Sequence, residues 1–220
     1  SIIKNKKLYD ILKKNLKKNK FFRKINLKNK FYVQDKYNLV INNDFSNLIT
    51  KKFFSKKIVK EYNSFAHTTV IKHKKIKNNT ASQVFTKEGP LAFLPISNTE
   101  TSVVYSKHYK FDNNTNNIND LILKYNSKYE ILKISNIDNF ELKSFHLRSY
   151  YYKNILAFGD LLHRIHPLAG QGFNMTLRDI RILLNIINYK IKLGLELNSS
   201  VNVEFEKSLR HKNLIFSSGI

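Results

Sequence analysis

Gly159-Asp160-Leu161-Leu162-His163-Arg164-Ile165-His166-Pro167-Leu168-Ala169-Gly170-Gln171-Gly172-Phe173-Asn174 holds three of the six glycines and one of the three prolines in a chain of 220 residues. A second window, Gly89-Pro90-Leu91-Ala92-Phe93-Leu94-Pro95, holds one more glycine and the other two prolines. Average usage puts glycine near roughly 7% of residues, so the shortage elsewhere makes this clustering informative. Such residues are needed where backbone turns sharply or lies against a ligand with no Cβ in the way. Just before the first window, Ile155-Leu156-Ala157-Phe158 is a continuous apolar run of the kind buried on both faces in a parallel sheet. After it the pattern predicts a long helix, Gly172 to Lys192. The region reads as strand, tight turn, loop and helix, the helix opening at Gly170-Gln171-Gly172-Phe173-Asn174.

A helix N-terminus presents unpaired N–H groups and the positive end of the helix dipole, which suits an anionic or polar ligand edge. Gly170 and Gly172 let that backbone come close. Asp160, directly after a buried strand, is placed to accept from ribose or ribityl hydroxyls. Asp160, His163 and His166 have an i, i+3, i+6 spacing that a metal could use, but Pro167 and the glycines break the helix such a ligand set needs, and no metal is expected. No Gly-Lys-Ser/Thr phosphate loop and no Gly-x-Ser-x-Gly elbow is present. His163 reads equally as a loop residue bonded to backbone or as a functional group. Arg178 and Asp179, one turn past the motif, read as a structural ion pair or a brace for the loop.

Elsewhere the chain alternates helix and strand signals. Leu8, Leu12 and Leu16 among lysines predict an amphipathic helix, Phe21 to Val33 a weak strand, and Tyr37 to Ile41 a short strand ending at the Asn42-Asn43-Asp44 turn. Strands are expected at Phe65 to Lys75, Ser82 to Thr86, Leu91 to Ile96, Thr101 to Ser106 and Phe140 to Tyr151. Helices are expected at Ile118 to Ile131 and Val201 to Phe216, with a polar loop from Asp112 to Asn119. Apolar content of 42% excludes disorder, and no cysteine is available for disulfides or thiolate metal sites. The net charge of +23 raises nucleic acid as a partner, but 33 of the 39 basic residues are lysine beside abundant asparagine and isoleucine, which reads as a solvated surface. The lysine-rich start has no apolar signal-peptide core.

The motif from Gly159 through Gln171-Gly172-x-Asn174 to Arg178-Asp179 resembles the C-terminal flavin signature of the FAD-dependent aromatic hydroxylases. It is most similar to ubiquinone-biosynthesis hydroxylases of the UbiH/UbiF type, in which His-Pro-Leu/Ile-Ala-Gly-Gln-Gly is typical. The window Phe85 to Pro95 is similar to the same family's substrate-domain stretch, and Tyr37 to Asp44 sits where the family has its mid-chain Ala-Asp-Gly motif. The resemblance implies an α/β (in part α+β) fold: a partial FAD-binding Rossmann-like domain with an inserted mixed or antiparallel β-sheet substrate domain. Residues 1–56 would be a remnant of the FAD domain, 57–151 the substrate sheet, and 152–220 the C-terminal part of the FAD domain with long helices. No Gly-x-Gly-x-x-Gly follows an N-terminal strand, and the chain is expected to be the later portion of a longer protein.

The implied activity is a monooxygenase that hydroxylates an aromatic ring, a polyprenylated ubiquinone precursor, with FAD as cofactor, NAD(P)H as reductant and O2. Cofactor contacts are implied for Gly159, Asp160, Pro167, Gly170, Gln171, Gly172, Phe173 and Asn174. Pro167 and the Gly172 amide stand closest to the chemistry, and Gly89, Pro90, Leu91 and Pro95 border the substrate. A cytoplasmic location, peripheral contact with the inner membrane and association with other ubiquinone-biosynthesis proteins follow from the same likeness; nucleic acid is not an expected partner. Departures include Phe45 for the family's glycine, Leu48 for serine, Lys51 for arginine, and Leu161-Leu162 for a pair of small residues, which would crowd the approach to a cofactor. Two other readings stay open: a non-catalytic flavoprotein relative, and a basic binder of nucleic acid or membrane surfaces.

Overall fold

The computed structural model describes residues 5–25, 36–109, 118–164 and 171–218. The chain forms two compact units, one from Ser1–Ile25 and Asn63–Leu142, the other from Asn26–Tyr62 and Lys143–Ile220.

The second unit carries the glycine-rich motif. Strand β1 (Val40–Asn42) runs parallel to a strand at Ile155–Ala157, with Val40 opposite Ile155 and Asn42 opposite Ala157. The expected apolar run is therefore a parallel strand, and all three of its residues are buried. Helix α2 (Leu48–Phe53), unannounced by periodicity, follows β1 and is capped by the Asn47 side chain, which accepts from the Thr50 amide at 2.7 Å.

Two long helices cover the core of this unit, Gln171–Lys192 and Ser199–Ser218. The first buries Met175, Asp179, Leu183, Ile186 and Lys190, one face at helical spacing. Leu183 and Ile186 pack with Val201, Phe205 and Leu209 of the second helix around Ile155, Leu156 and Phe158. Leu161 and Leu162 lie in this same core with no exposed surface. They point inward and fill the unit, so they do not crowd an approach from outside as the sequence suggested.

The first unit is an antiparallel sheet. Strand β2 (Lys57–His73) enters it from the other unit and pairs with β5 (Glu100–His108), which pairs with β4 (Pro90–Pro95), which pairs with β3 (Ser82–Phe85). Helix α3 (Ile118–Tyr125) supplies Ile122 to a core of Ile71, Leu91, Phe93, Val103, Tyr105 and Tyr129. The helix expected to reach Ile131 stops early. Asn126 accepts from the Tyr129 amide at 2.8 Å and donates to its carbonyl, a local alternative to further helix. Ile131–Ile134 then forms β6 on the edge of β2.

The remaining strands are β7 (Asp138–Leu147), β8 (Tyr151–Tyr152), β9 (the Ile155–Ala157 strand) and β10 (His163–Arg164); the two long helices are α4 and α5. Phe21–Ile25 forms no strand; the rest of the strand expected there, from 26 to 33, and the polar stretch 112–117 lie outside the described residues.

Gly89 illustrates why the second glycine-bearing window is built as it is. Its φ is +150°, and a Cβ there would stand 1.9 Å from the Ser106 carbonyl oxygen. Thr86 closes the turn, its hydroxyl donating to the Gly89 carbonyl at 2.7 Å. Gly89→Ala combines a forbidden backbone angle with a clash against a neighbouring strand, so it should destabilise the sheet unit by about 2–4 kcal/mol. Denaturant unfolding followed by aromatic fluorescence measures this directly, and a loss under about 0.5 kcal/mol would show that the turn relaxes.

Candidate functional site

Because β1 and β9 are parallel, their C-terminal ends lie side by side. The Phe158 amide donates to the Asn42 carbonyl at 2.9 Å, which joins the two exits. Open α/β sheets bind ligands at this end of their strands. One exit is a turn of polar side chains. Asn42 donates to Thr50 Oγ1 at 2.8 Å and accepts from Asn47 at 2.6 Å, while Asp44 Oδ1 accepts from the Ser46 amide and hydroxyl at 2.8 and 2.7 Å. Phe45, where the family has glycine, packs edge-on against Phe145 with Lys57 over both rings.

The other exit is the motif. Gly159 has φ +63° and opens a 3-10 turn, Gly159–Leu161, that leaves Asp160 exposed. A left-handed angle costs any residue with a side chain roughly 1–2 kcal/mol, which accounts for the glycine. Helix α4 begins at Gln171 and touches this turn. By helical geometry the amides of Gln171, Gly172 and Phe173 have no partner in the helix, and Asn174 is the first residue whose amide closes a turn. Among the described residues, a Cβ at Gly159 or at Gly172 would meet no atom within 4 Å. Phe173 and Asn174 are exposed. Pro167 and Gly170 lie outside the described residues.

Behind this opening is a buried polar network that the sequence only hinted at. Asp179 has no exposed surface. Its Oδ2 is 2.5 Å from His163 Nε2, and its Oδ1 accepts from Arg178 Nη2 and Nε at 2.8 and 3.1 Å. Arg178 also donates to Asn213 of α5, whose amide donates to the Tyr150 hydroxyl at 3.2 Å. His146 on β7 is registered opposite His163 on β10, with ring centroids 6.2 Å apart. Both ring nitrogens of His146 and Nδ1 of His163 are buried and have no hydrogen-bond partner among the described residues. The ion-pair reading of Arg178 and Asp179 holds, and His163 bonds to a carboxylate rather than to backbone. His146, Tyr150 and Asn213 were invisible to sequence reasoning: they reach the network from distant elements and no local pattern marks them.

The Gly89 to Pro95 window belongs to the sheet unit. Gly89 shapes the turn, Pro90 and Pro95 bound β4 and are partly exposed, and the Leu91 side chain is wholly spent on the core. A separate polar cleft of about 540 Å³, lined by Asn38, Lys153, Asn154, Glu196, Asn198 and Ser199, includes none of the motif residues.

The backbone at Gly159 and Gly172, the exposed Asp160 carboxylate and the first amides of α4, which have no partner within the helix, form a donor-and-acceptor set that fits a polar ring edge carrying a hydroxylated side chain. It therefore fits FAD as the sequence motif implies.

Burial and the neighbouring His163 hold the His146 imidazole down at a pKa of about 4, against an ordinary 6.5. Between these values the unfolded chain binds a proton that the folded chain refuses, so stability is full above pH 6.5 and falls as pH drops toward 4. The loss attributable to this group is about 3 kcal/mol, and His146→Phe should remove it from the stability–pH curve. Denaturant midpoints measured from pH 7 to pH 4 test this; identical slopes for the two proteins would contradict it.

No family model matches the chain. It is 24% identical over 181 residues to the ubiquinone biosynthesis monooxygenase COQ6 of Caenorhabditis elegans, covering 63% of this chain and 40% of that protein. It is 30% identical over 111 residues to the 3-demethoxyubiquinol 3-hydroxylase of Escherichia coli, covering 48% of this chain and 28% of that protein. The chain thus spans two fifths or less of these relatives' lengths. In fold it is similar to the myxobacterial FAD-dependent halogenase CndH, with a TM-score of 0.62 at 14% identity over 82% of this chain and 46% of that one. It is also similar to PqsL of Pseudomonas aeruginosa, solved with 2-aminobenzoylacetate, with a TM-score of 0.59 at 15% identity over 82% of this chain and 53% of that one. In sequence the chain is thus similar to ubiquinone-biosynthesis hydroxylases, and in fold to flavin-dependent enzymes.

Proposed function

We propose that this chain is the substrate sheet and C-terminal flavin-contacting portion of a monooxygenase that hydroxylates the ring of a polyprenylated ubiquinone precursor. The observation that carries the reading is the meeting of three features within one unit. The exits of parallel strands β1 and β9 are joined through Asn42 and Phe158, the exposed Asp160 follows, and α4 opens beside them with amides that have no partner within the helix.

FAD, when bound, supplies hydride acceptance from NAD(P)H and the activation of O2. The chain's own residues bind and orient. Asp160 accepts from hydroxyls of the ribityl chain. The amides of Gln171, Gly172 and Phe173 donate to the edge of the ring where negative charge gathers on reduction. Preorganised donors in a dry site contribute about 3 kcal/mol toward developing charge, against under about 1 kcal/mol for an exposed helix end. The site thus gains its strength when the ring itself excludes water. A Cβ at Gly172 would meet no described atom within 4 Å, so in this reading the glycine serves the approach of the ring rather than the packing of the helix.

Helix α1 (Asn5–Lys18) supports a peripheral membrane role for a protein with a lipid-tailed substrate. It has no buried residue, and Leu8, Leu12 and Leu16 share one face while six lysines occupy the rest. Among the described residues no helix is long and apolar enough to cross a membrane. The reading places the protein on the cytoplasmic face of the inner membrane, where association with other enzymes of the same biosynthesis is expected.

Asp160→Ala tests the flavin reading without touching the core, because the side chain is exposed. Quenching of FAD fluorescence on titration with the chain should give saturable binding, and the variant should bind about tenfold more weakly with an unchanged unfolding midpoint. Equal affinity in the two proteins, or no saturable quenching by the folded chain, would overturn the assignment.

A further inference from the structure

We propose that His163 is a positioning residue for the ligand-facing end of α4, acting through Asp179. What the helix end faces rests on the flavin reading above; the clamp itself does not.

Helix α4 meets its unit mostly through apolar contacts of Met175, Leu183 and Ile186. Such contacts are non-directional and leave a helix free to rotate or slide by small amounts. Two ionisable side chains interrupt that face: Lys190, near the far end of the helix and 3.4 Å from Glu204 of α5, and, nearer the ligand-facing end, Asp179. It is ionisable, it has no exposed surface, and it receives hydrogen bonds from two sides. A carboxylate only accepts, so His163 must present Nε2–H to it. Taking a carboxylate out of water is expensive, and a leucine at this position would continue the apolar stripe. A buried charge retained there fixes a geometry that apolar packing would leave loose.

The geometry it fixes is specific. His163 is held in β10, immediately after the Gly159–Leu161 turn, and the Leu162 carbonyl accepts from the Leu147 amide at 3.0 Å. Arg178, on the other side of Asp179, reaches across to Asn213 of α5. Strand, motif helix and final helix are therefore locked at one point. Asp179 lies eight positions beyond Gln171, and an α-helix rises about 1.5 Å per residue, so the lock lies ~12 Å along a rigid rod from the opening amides. Rotation of the rod about its axis carries those amides off their line; Arg178 and Lys190 tie the rod to α5, and the hydrogen bond to His163 is the directional contact that ties it to the strand carrying the motif turn. The motif's acid and its helix opening are thereby held in one frame.

Three forms of the chain test this: the unaltered protein, His163→Leu, and His163→Gln, whose side-chain amide can still donate to Asp179. The first readout is amide hydrogen exchange at Met175 to Asp179, the first amides bonded within the helix after Asn174, compared with Ile186 to Lys190 farther along. His163→Leu should raise exchange in the first group about tenfold and leave the second within twofold, and His163→Gln should restore most of the protection. The second readout is FAD affinity, expected to fall about tenfold in the leucine variant and to recover in the glutamine variant. If His163→Leu does not fold, His163→Asn, whose amide falls short of Asp179, takes its place. Exchange unchanged in both groups, raised equally along the whole helix, or not restored by glutamine would overturn the proposal. A chain that binds no FAD in any form would remove the flavin reading and leave the clamp to be judged on the exchange pattern alone.

Discussion

The second unit depends on one buried carboxylate. Asp179 lies beneath α4, bonded to His163 on one side and Arg178 on the other, and both partners belong to elements that bound the open end of the motif. An ionised group in a protein interior is tolerable only when its lone pairs are all engaged, and removal of one partner from such a pair commonly costs 3–5 kcal/mol. The same carboxylate therefore reports on the integrity of strand, helix and turn together. Apolar packing around Leu156, Phe158 and Phe205 supplies the bulk of the unit's stability, but it does not decide where α4 points.

Departures from the family's pattern are absorbed locally. Leu161 and Leu162 exchange small residues for core volume, and both are wholly buried against the long helices. Phe45 takes the place of a glycine in the turn after β1 and gains an aromatic partner in Phe145, with Lys57 across both rings. Around it the turn is pinned by Asn42, Asp44, Asn47 and Thr50. These substitutions change what fills the space behind the site, and no described residue crowds the backbone at Gly159 or Gly172.

Much of this was legible in the residues. Ile155 to Ala157 is apolar without alternation because both faces are buried, and α4, α5 and α1 declare themselves through helical spacing. The glycines at 89 and 159 occupy positions with positive φ, the reason that clusters of glycine are informative at all. What was hidden has physical causes too. The two-residue strand at His163 is too short for any periodicity, and its existence depends on a partner in β7. Helix α2 is set by a cap at Asn47 rather than by an apolar face. Tyr150 and Asn213 join the polar network across 63 residues of sequence, where no spacing rule reaches. His163 was recognisable as a motif residue, but its carboxylate partner is defined by tertiary packing alone.

The central claim is that the opening of α4, held by its buried anchor, is aimed at a flavin. Amide chemical shifts of the isotopically labelled chain, followed as FAD is added, test it most directly. The account predicts the largest changes at Gln171, Gly172, Phe173 and Asp160, saturating together at one ligand per chain. Shifts that leave these residues unmoved and spread instead over the lysine-rich surface would contradict it.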